Sequence, residues 1–184
     1  MRPFQTVFLD RDGVLNRKPP EGEYVRNLAE FHLLPGIVEA IARLNRAEKH
    51  VIVVSNQRGI ALGLYTAADV DAIHAGFQKQ LLLHGAHVDV FLYCPHDKNQ
   101  CRCRKPLLGL FEQALAQFPQ IAAQQSVMVG DSLSDIEFGK RLGLGTIFID
   151  GDHEHQKAGA EQARALADFV CGSFVEAVDR LLAE

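Results

Sequence analysis

Asp10-Arg11-Asp12-Gly13 follows at once on the apolar run TVFL. Two acids at this spacing reach one point if the chain turns there, and Gly13 permits a turn. A carboxylate in that place can be a metal ligand, a nucleophile or both. The plainer reading is a polar strand end with a turn-forming Asp-Gly. Further along, VMVGDSLSD places Asp131 after a glycine at the end of another apolar run. Ser132 and Asp135 have the spacing of a capping box, so helix capping competes with chemistry for Asp135. Asp10, Asp12 and Asp131 are hard oxygen donors, a set that favours Mg2+. Without a cation they would repel one another and raise their pKa values.

Ser55-Asn56-Gln57 follows the apolar VIVV. A hydroxyl and amides at a strand end can donate to phosphate oxygens, or simply cap a loop. Lys105 can neutralise both the acids and a bound phosphate; a solvated surface lysine is the plain alternative. Cys94, His96, Cys101 and Cys103 read C-x-H-x4-C-x-C in a polar loop, a poor place for buried thiols. Four soft or borderline ligands so close together suit a closed, structural zinc site with no open position for water. Such a site would stiffen the loop that delivers Arg104 and Lys105.

These residues need elements to hold them. Apolar runs of strand length lie at 6–9, 51–55, 88–93, 126–130 and 146–150. They are rich in Val, Ile and Phe without strict alternation, as in strands buried on both faces. Helical stripes lie between and after them: Ile37, Ile41 and Leu44; Val70, Ile73, Phe77 and Leu81 behind a Thr66/Asp69 capping box; Leu110, Ala114, Leu115 and Phe118; and Phe174, Val178 and Leu181 behind Ser173 and Glu176. The order predicts an α/β fold, a three-layer αβα doubly wound parallel sheet. Ligands of such sheets bind beyond the carboxyl ends of the strands. Asp10, Ser55, Asp131 and the loop opened by Cys94 all fall at that edge. Two loops interrupt the plan, 17–35 and 94–106; neither is long enough to be a large cap domain.

The chain has 184 residues, 47% hydrophobic and 23% charged, and is expected to form a single domain over 1–184. Its formal charge of −4 argues against a nucleic-acid binder but allows a local basic pocket. No apolar run approaches a membrane span and the N-terminus lacks signal-peptide features, so a cytoplasmic protein is expected. Clustered cysteines in a reducing compartment fit metal better than disulfides. Cys171 is expected to pack as a small apolar residue. His153 and His155, with no third ligand nearby, read as loop polar groups.

DRDG at 10–13, SNQ at 55–57, RKP at 104–106 and GDSLSD at 130–135 resemble, in order, the four motifs of the haloacid dehalogenase (HAD) superfamily of phosphohydrolases. A receiver domain of a signalling pathway has similar groups, but its nucleophile follows the third strand. The resemblance implies that Asp10 attacks phosphorus and forms an aspartyl-phosphate. Asp12 would protonate the leaving oxygen and then deprotonate water. Mg2+ would be held by Asp10, the main-chain carbonyl of Asp12 and Asp131. Ser55 and Lys105 would bind the transferring phosphoryl group, and Asp135 would orient Lys105 or a metal-bound water.

The CxH…CxCRKP element resembles the branch of heptose 1,7-bisphosphate 7-phosphatases and histidinol-phosphate phosphatases. SNQRGIALG at 55–63, with Tyr24-Val25 and Leu34-Pro35-Gly36, is more similar to the heptose enzymes. Arg58 and Leu62 stand where that family has Ser and often Arg, and KPLLGL at 105–110 replaces its more usual KPxPGM. The implied substrate is a small phosphorylated sugar, with Arg58 and Arg104 toward the distal phosphate, Asn56 among the substrate contacts and the 17–27 loop against the sugar hydroxyls. The expected protein is a monomer needing Mg2+ for catalysis and Zn2+ for structure. A rival from another class is a binding module on a dead phosphatase fold, against which the complete set of motif acids and Lys105 speaks.

Overall fold

Val7 and Phe8 are neighbours, and both are fully buried. Adjacent residues of a strand point to opposite faces, so the strand that carries them must be covered on both sides. In the computed structural model, which describes residues 4–151 and 158–183, this holds for the centre of a six-stranded sheet. The strands are β1 (Thr6–Leu9), β2 (His50–Asn56), β3 (Val90–Cys94), β4 (Ser126–Gly130), β5 (Gly145–Ile149) and β6 (Phe169–Cys171). They lie in the order β3-β2-β1-β4-β5-β6, every pair parallel.

Helices α1 (Ile37–Arg46), α2 (Ala67–Leu82) and α6 (Phe174–Leu182) cover the face that carries Val7, Val53 and Val129. Helices α3 (Gly109–Gln117) and α4 (Leu133–Leu142) cover the opposite face, with Phe8, Ile52 and Met128. Helix α5 (Ala160–Leu166) seats Ala163 against Ile136 and Phe148 beside them. The three-layer αβα expectation is met, and Cys171 is buried in the first of these clusters.

Strand β3 starts two residues later than its apolar run. The main chain of Val88 is taken up by the Gln78 side chain, which donates to its carbonyl at 3.1 Å and accepts from its N–H at 3.0 Å. Strand β6 and helix α5 are too short to raise a periodic signal of their own. His153 and His155 lie outside the described residues.

The strand order reverses at β1 and β4, which are neighbours in the sheet though far apart in the chain. The connections leave in opposite directions there and open a crevice at the carboxyl ends. Asp10 follows β1 and Asp131 follows β4, one on each side of it. The 17–35 loop folds back beside this crevice. Arg17 N–H donates to the His32 carbonyl at 2.8 Å, and Leu34 N–H to that of Leu15 at 3.0 Å, closing the loop at its base. Phe31 packs on Phe77 of α2 with ring centroids 5.4 Å apart, so the loop is anchored to a helix as well.

Candidate active site

Asp10, Asp131 and Asp135 are buried, and each offers a carboxylate oxygen within 4.8 Å of the others. Lys105 reaches into this cluster. Its ammonium lies 2.9 Å from Asp10 Oδ1 and 2.6 Å from Asp135 Oδ1, and donates to the Val54 carbonyl at 2.6 Å. Burial works against the Lys105 charge, but Asp10 and Asp135 outweigh it and raise its pKa above the ordinary lysine value. Asp135 fills both roles considered for it. Its Oδ2 accepts from Ser132 N–H at 3.1 Å and Ser132 Oγ at 2.6 Å, capping α4, while Oδ1 faces Lys105. On the far side Lys18 from the 17–35 loop puts its ammonium 2.5 Å from Asp131 Oδ2.

The oxygen set fits Mg2+, and two glycines set how closely it lies on the backbone. Gly13 has φ +95°, and a Cβ there would stand 2.1 Å from Asp131 Oδ2. A Cβ on Gly130 would stand 2.2 Å from that of Asp135. Both glycines let a carboxylate lie directly on the backbone. Among the described residues three carboxylates face the Lys18 and Lys105 ammonium groups here, a setting to which a divalent ion could be added.

Asp12 points into a different set of partners. It accepts from Arg11 at 2.9–3.1 Å, from Asn16 Nδ2 at 2.9 Å and from Gln57 Nε2 at 3.2 Å. Burial tends to raise its pKa, but the Arg11 guanidinium and the hydrogen bonds from Arg11, Asn16 and Gln57 win and hold it below the usual carboxylate value. Tyr65 Oη donates to Gln57 Oε1 at 2.9 Å, which turns the Gln57 amide so that Nε2 serves both Asp12 and Ser55 Oγ, each at 3.2 Å. Ser55 is therefore buried at the end of β2 and tied to Asp12 through one amide. Arg11 was not among the expected site residues, and Gln57 was expected only as one of the polar groups after β2 that could donate to phosphate or cap a loop. Arg11 stands between two acids in a strand-end turn, which is itself a signal; Lys18 carries none, since only the loop's path brings it to Asp131.

Asn56, expected to touch substrate, has other work. Its Oδ1 accepts from Lys105 N–H at 3.0 Å and its Nδ2 donates to the Lys105 carbonyl at 3.1 Å. Arg58 is likewise engaged, with Nε 2.5 Å from Asp97 Oδ1 in the 94–106 loop. Arg104 differs: its Nη1 is buried without a hydrogen-bond partner among the described residues.

The predicted zinc ligands converge. Cys94 Sγ lies 3.4 Å from Cys101 Sγ and 3.7 Å from His96 Nδ1, and Cys103 Sγ lies 3.4 Å from the same nitrogen. A tetrahedron of Zn–S bonds near 2.3 Å has edges of about 3.8 Å. All four cysteines of the chain are free thiols. Arg104 N–H donates to Cys101 Sγ at 3.4 Å, so this cluster leads straight into the Arg104-Lys105 pair. Beside the crevice the 17–35 loop and Leu64 enclose a cleft of about 670 Å³, walled by Arg17, Lys18, Tyr24, Arg26 and His32.

A family model for HAD-hydrolase-like proteins matches residues 102–177. A D-glycero-alpha-D-manno-heptose-1,7-bisphosphate 7-phosphatase of Mycobacterium tuberculosis is 46% identical over 74% of this chain and 72% of its own length. The D-glycero-beta-D-manno-heptose-1,7-bisphosphate 7-phosphatase of Bordetella bronchiseptica is 32% identical over 97% of this chain and 98% of its own. The chain belongs to the HAD-like heptose bisphosphate phosphatase family. A crystal structure of the D,D-heptose 1,7-bisphosphate phosphatase from B. bronchiseptica, complexed with magnesium and phosphate, superimposes with TM-score 0.84 at 31% identity, over 98% of this chain and 99% of that one. The HAD-like family resemblance carried by residues 10–13, 55–57, 104–106 and 130–135 thus agrees with likeness along nearly the full chain. Among the described residues no helix is long and apolar enough to cross a membrane.

Proposed function

We propose that this chain, acting as one domain, hydrolyses the C7 phosphate of D-glycero-D-manno-heptose 1,7-bisphosphate. The observation that carries the reading is the meeting of Asp10, Asp131, Asp135 and Lys105 at the reversal of strand order, in a chain that matches such phosphatases along most of its length. Asp10 attacks phosphorus and becomes an aspartyl-phosphate, and water then releases it. Asp12 moves the proton, giving it to the leaving oxygen and later taking one from water. Arg11 and Gln57 keep it aimed and, in the resting site, ionised, so the proton it hands to the leaving oxygen is one it first takes from the monoanionic form of the incoming phosphate. Ser55 and Lys105 hold the transferring oxygens, and the Lys105 charge offsets the charge that builds there. Mg2+ would be held by Asp10, the Asp12 main chain and Asp131, with Asp135 close by; it supplies charge neutralisation of the phosphoryl oxygens. Zn2+ on Cys94, His96, Cys101 and Cys103 would be structural.

Arg104 would receive the second phosphate, a reading supported by its buried Nη1, which has no hydrogen-bond partner among the described residues. Arg58 would join it by leaving Asp97, and the 17–27 part of the loop would meet the sugar hydroxyls across the cleft. The α anomer is the expected preferred substrate, since the α-acting relative is 46% identical against 38% for a β-acting one from Pseudomonas putida.

Phosphate release with Mg2+ from the two heptose anomers, histidinol phosphate and fructose 1,6-bisphosphate tests the assignment. The expected result is fastest turnover of the α-heptose, by at least about a hundredfold over histidinol phosphate, which brings no second phosphate and leaves a buried cation without its anion. Asp10→Asn is expected to abolish turnover with fold and zinc content intact. Comparable turnover of all four would overturn the substrate, and residual activity of Asp10→Asn would overturn the nucleophile. Faster turnover of histidinol phosphate would favour the neighbouring branch instead.

A further inference from the structure

We infer, on the reading of the metal site given above, that Lys18 is a second fixed cation of the phosphoryl site: it weakens Mg2+ binding before substrate arrives and strengthens the hold on a phosphate dianion afterwards. The Lys18 ammonium is 2.5 Å from Asp131 Oδ2, and both side chains are only 6% exposed. A lysine on a Pro-rich loop ordinarily keeps its charge in water, and burial is costly unless a partner is supplied. Here the loop is shaped to supply one. Its base is closed at Arg17 and His32, and Pro19 restricts the Lys18 backbone to extended conformations. Lys18 belongs to the inserted loop and Asp131 to the sheet, so the contact joins the substrate cleft to the metal carboxylates.

Charge and donor counts give Lys18 its role. A divalent ion on these carboxylates shares Asp131 with an ammonium, and the two cations repel whichever oxygen each takes. Lys18 therefore lowers affinity for the metal alone. A phosphate dianion reverses the balance, since it adds negative charge beside both cations. Lys105 has three oxygens within 2.9 Å, so its three N–H groups are committed. Among the described residues Lys18 has Asp131 as its ion-pair partner, which leaves N–H groups for an incoming oxygen. It also lines the cleft through which that oxygen arrives. Metal and phosphate are thereby made to bind cooperatively.

The test is calorimetric titration of the zinc-loaded protein, first with Mg2+ alone and then with inorganic phosphate at saturating Mg2+. Lys18→Met is expected to bind Mg2+ about fivefold more tightly and phosphate about tenfold more weakly. Lys18→Arg should stay within about twofold of the unsubstituted protein in both, and Lys18→Gln serves if the Met variant loses zinc or its circular dichroism. Unchanged or weaker Mg2+ binding in the neutral variants, or unchanged phosphate binding, would overturn the inference. Asp131→Asn separates the two levels. If it lost Mg2+ while the Lys18 variants behaved as unsubstituted, only Lys18 would be misread; if it bound Mg2+ normally, the metal site itself would be.

Discussion

Asn56 spends both ends of its amide on the main chain of Lys105, donating to the carbonyl and accepting from the N–H. The clasp sets where the Lys105 side chain begins, and that side chain runs inward to Asp10 and Asp135. Asn56→Ala would leave the ammonium present but loosely held. Turnover is expected to fall about ten- to a hundredfold, the usual cost of losing a group that orients a ligand, with zinc content unchanged. Steady-state kinetics with metal analysis checks this; an unaltered kcat would mean that the Lys105-Pro106 segment holds itself. Asn56 also marks a limit of sequence reading. SNQ at a strand end is legible as a cluster of polar groups, but which of them faces solvent and which faces the next loop depends on the path of residues 94–106. Gln57 stands for the opposite case: an amide one residue on, turned by Tyr65 toward Asp12.

The loop from Cys94 to Pro106 works as a unit. Cys94 ends β3, and Gly109 N–H, at the start of α3, donates back to the Arg102 carbonyl at 3.0 Å. Arg58 and Asn56 grip the loop from the β2 side. The cysteine cluster is thus one of several restraints, and the fold is expected to outlast its loss. On the zinc site proposed above, Cys101→Ser should remove the ion, lower the melting temperature by several degrees and cut turnover about ten- to a hundredfold, since Lys105 leaves the loop two residues after Cys103, the last of the proposed ligands. Zinc analysis, thermal unfolding and kinetics on one preparation would show it. Full activity without zinc would assign the positioning of Lys105 to Asn56 and Arg58 alone.

For the whole molecule, His74 carries a pH dependence of stability. It is buried on α2, stacked on Phe91 with centroids 4.6 Å apart, and its Nε2 has no hydrogen-bond partner among the described residues. Burial, aided by the Arg11 cation and opposed by Asp12, pushes its pKa down from 6.5 to about 3. Between those values the unfolded chain takes up a proton that the folded one refuses. Stability is therefore complete above the unfolded value and declines as pH falls, by up to about 1.4 kcal/mol per pH unit. His74→Phe keeps the stacked ring and removes the proton site. Urea unfolding at pH 6.5 and 5 is expected to show a loss in the unsubstituted protein roughly 2 kcal/mol greater than in the variant. Equal losses would mean that water or a shift of α2 accommodates the imidazolium.

The local signals needed no tertiary information. Buried strands announce themselves by continuous apolar runs, and β1 and β4 begin and end where those runs do. Acids after such runs, a C-x-H-x4-C-x-C loop and capping-box spacings are also local, so Asp10, Asp131, the four zinc-type ligands and Asp135 were legible in one dimension. Pairings between side chains far apart in the chain were not. Lys18 on Asp131, Asn56 on Lys105, Arg58 on Asp97 and Gln57 between Ser55 and Asp12 are short contacts across large or turned intervals of sequence. A lysine or an amide has many possible partners, and its composition favours none of them. The closed base of the 17–35 loop and the reversal of strand order between β1 and β4 make the choice, because they decide which groups share a space that water does not reach.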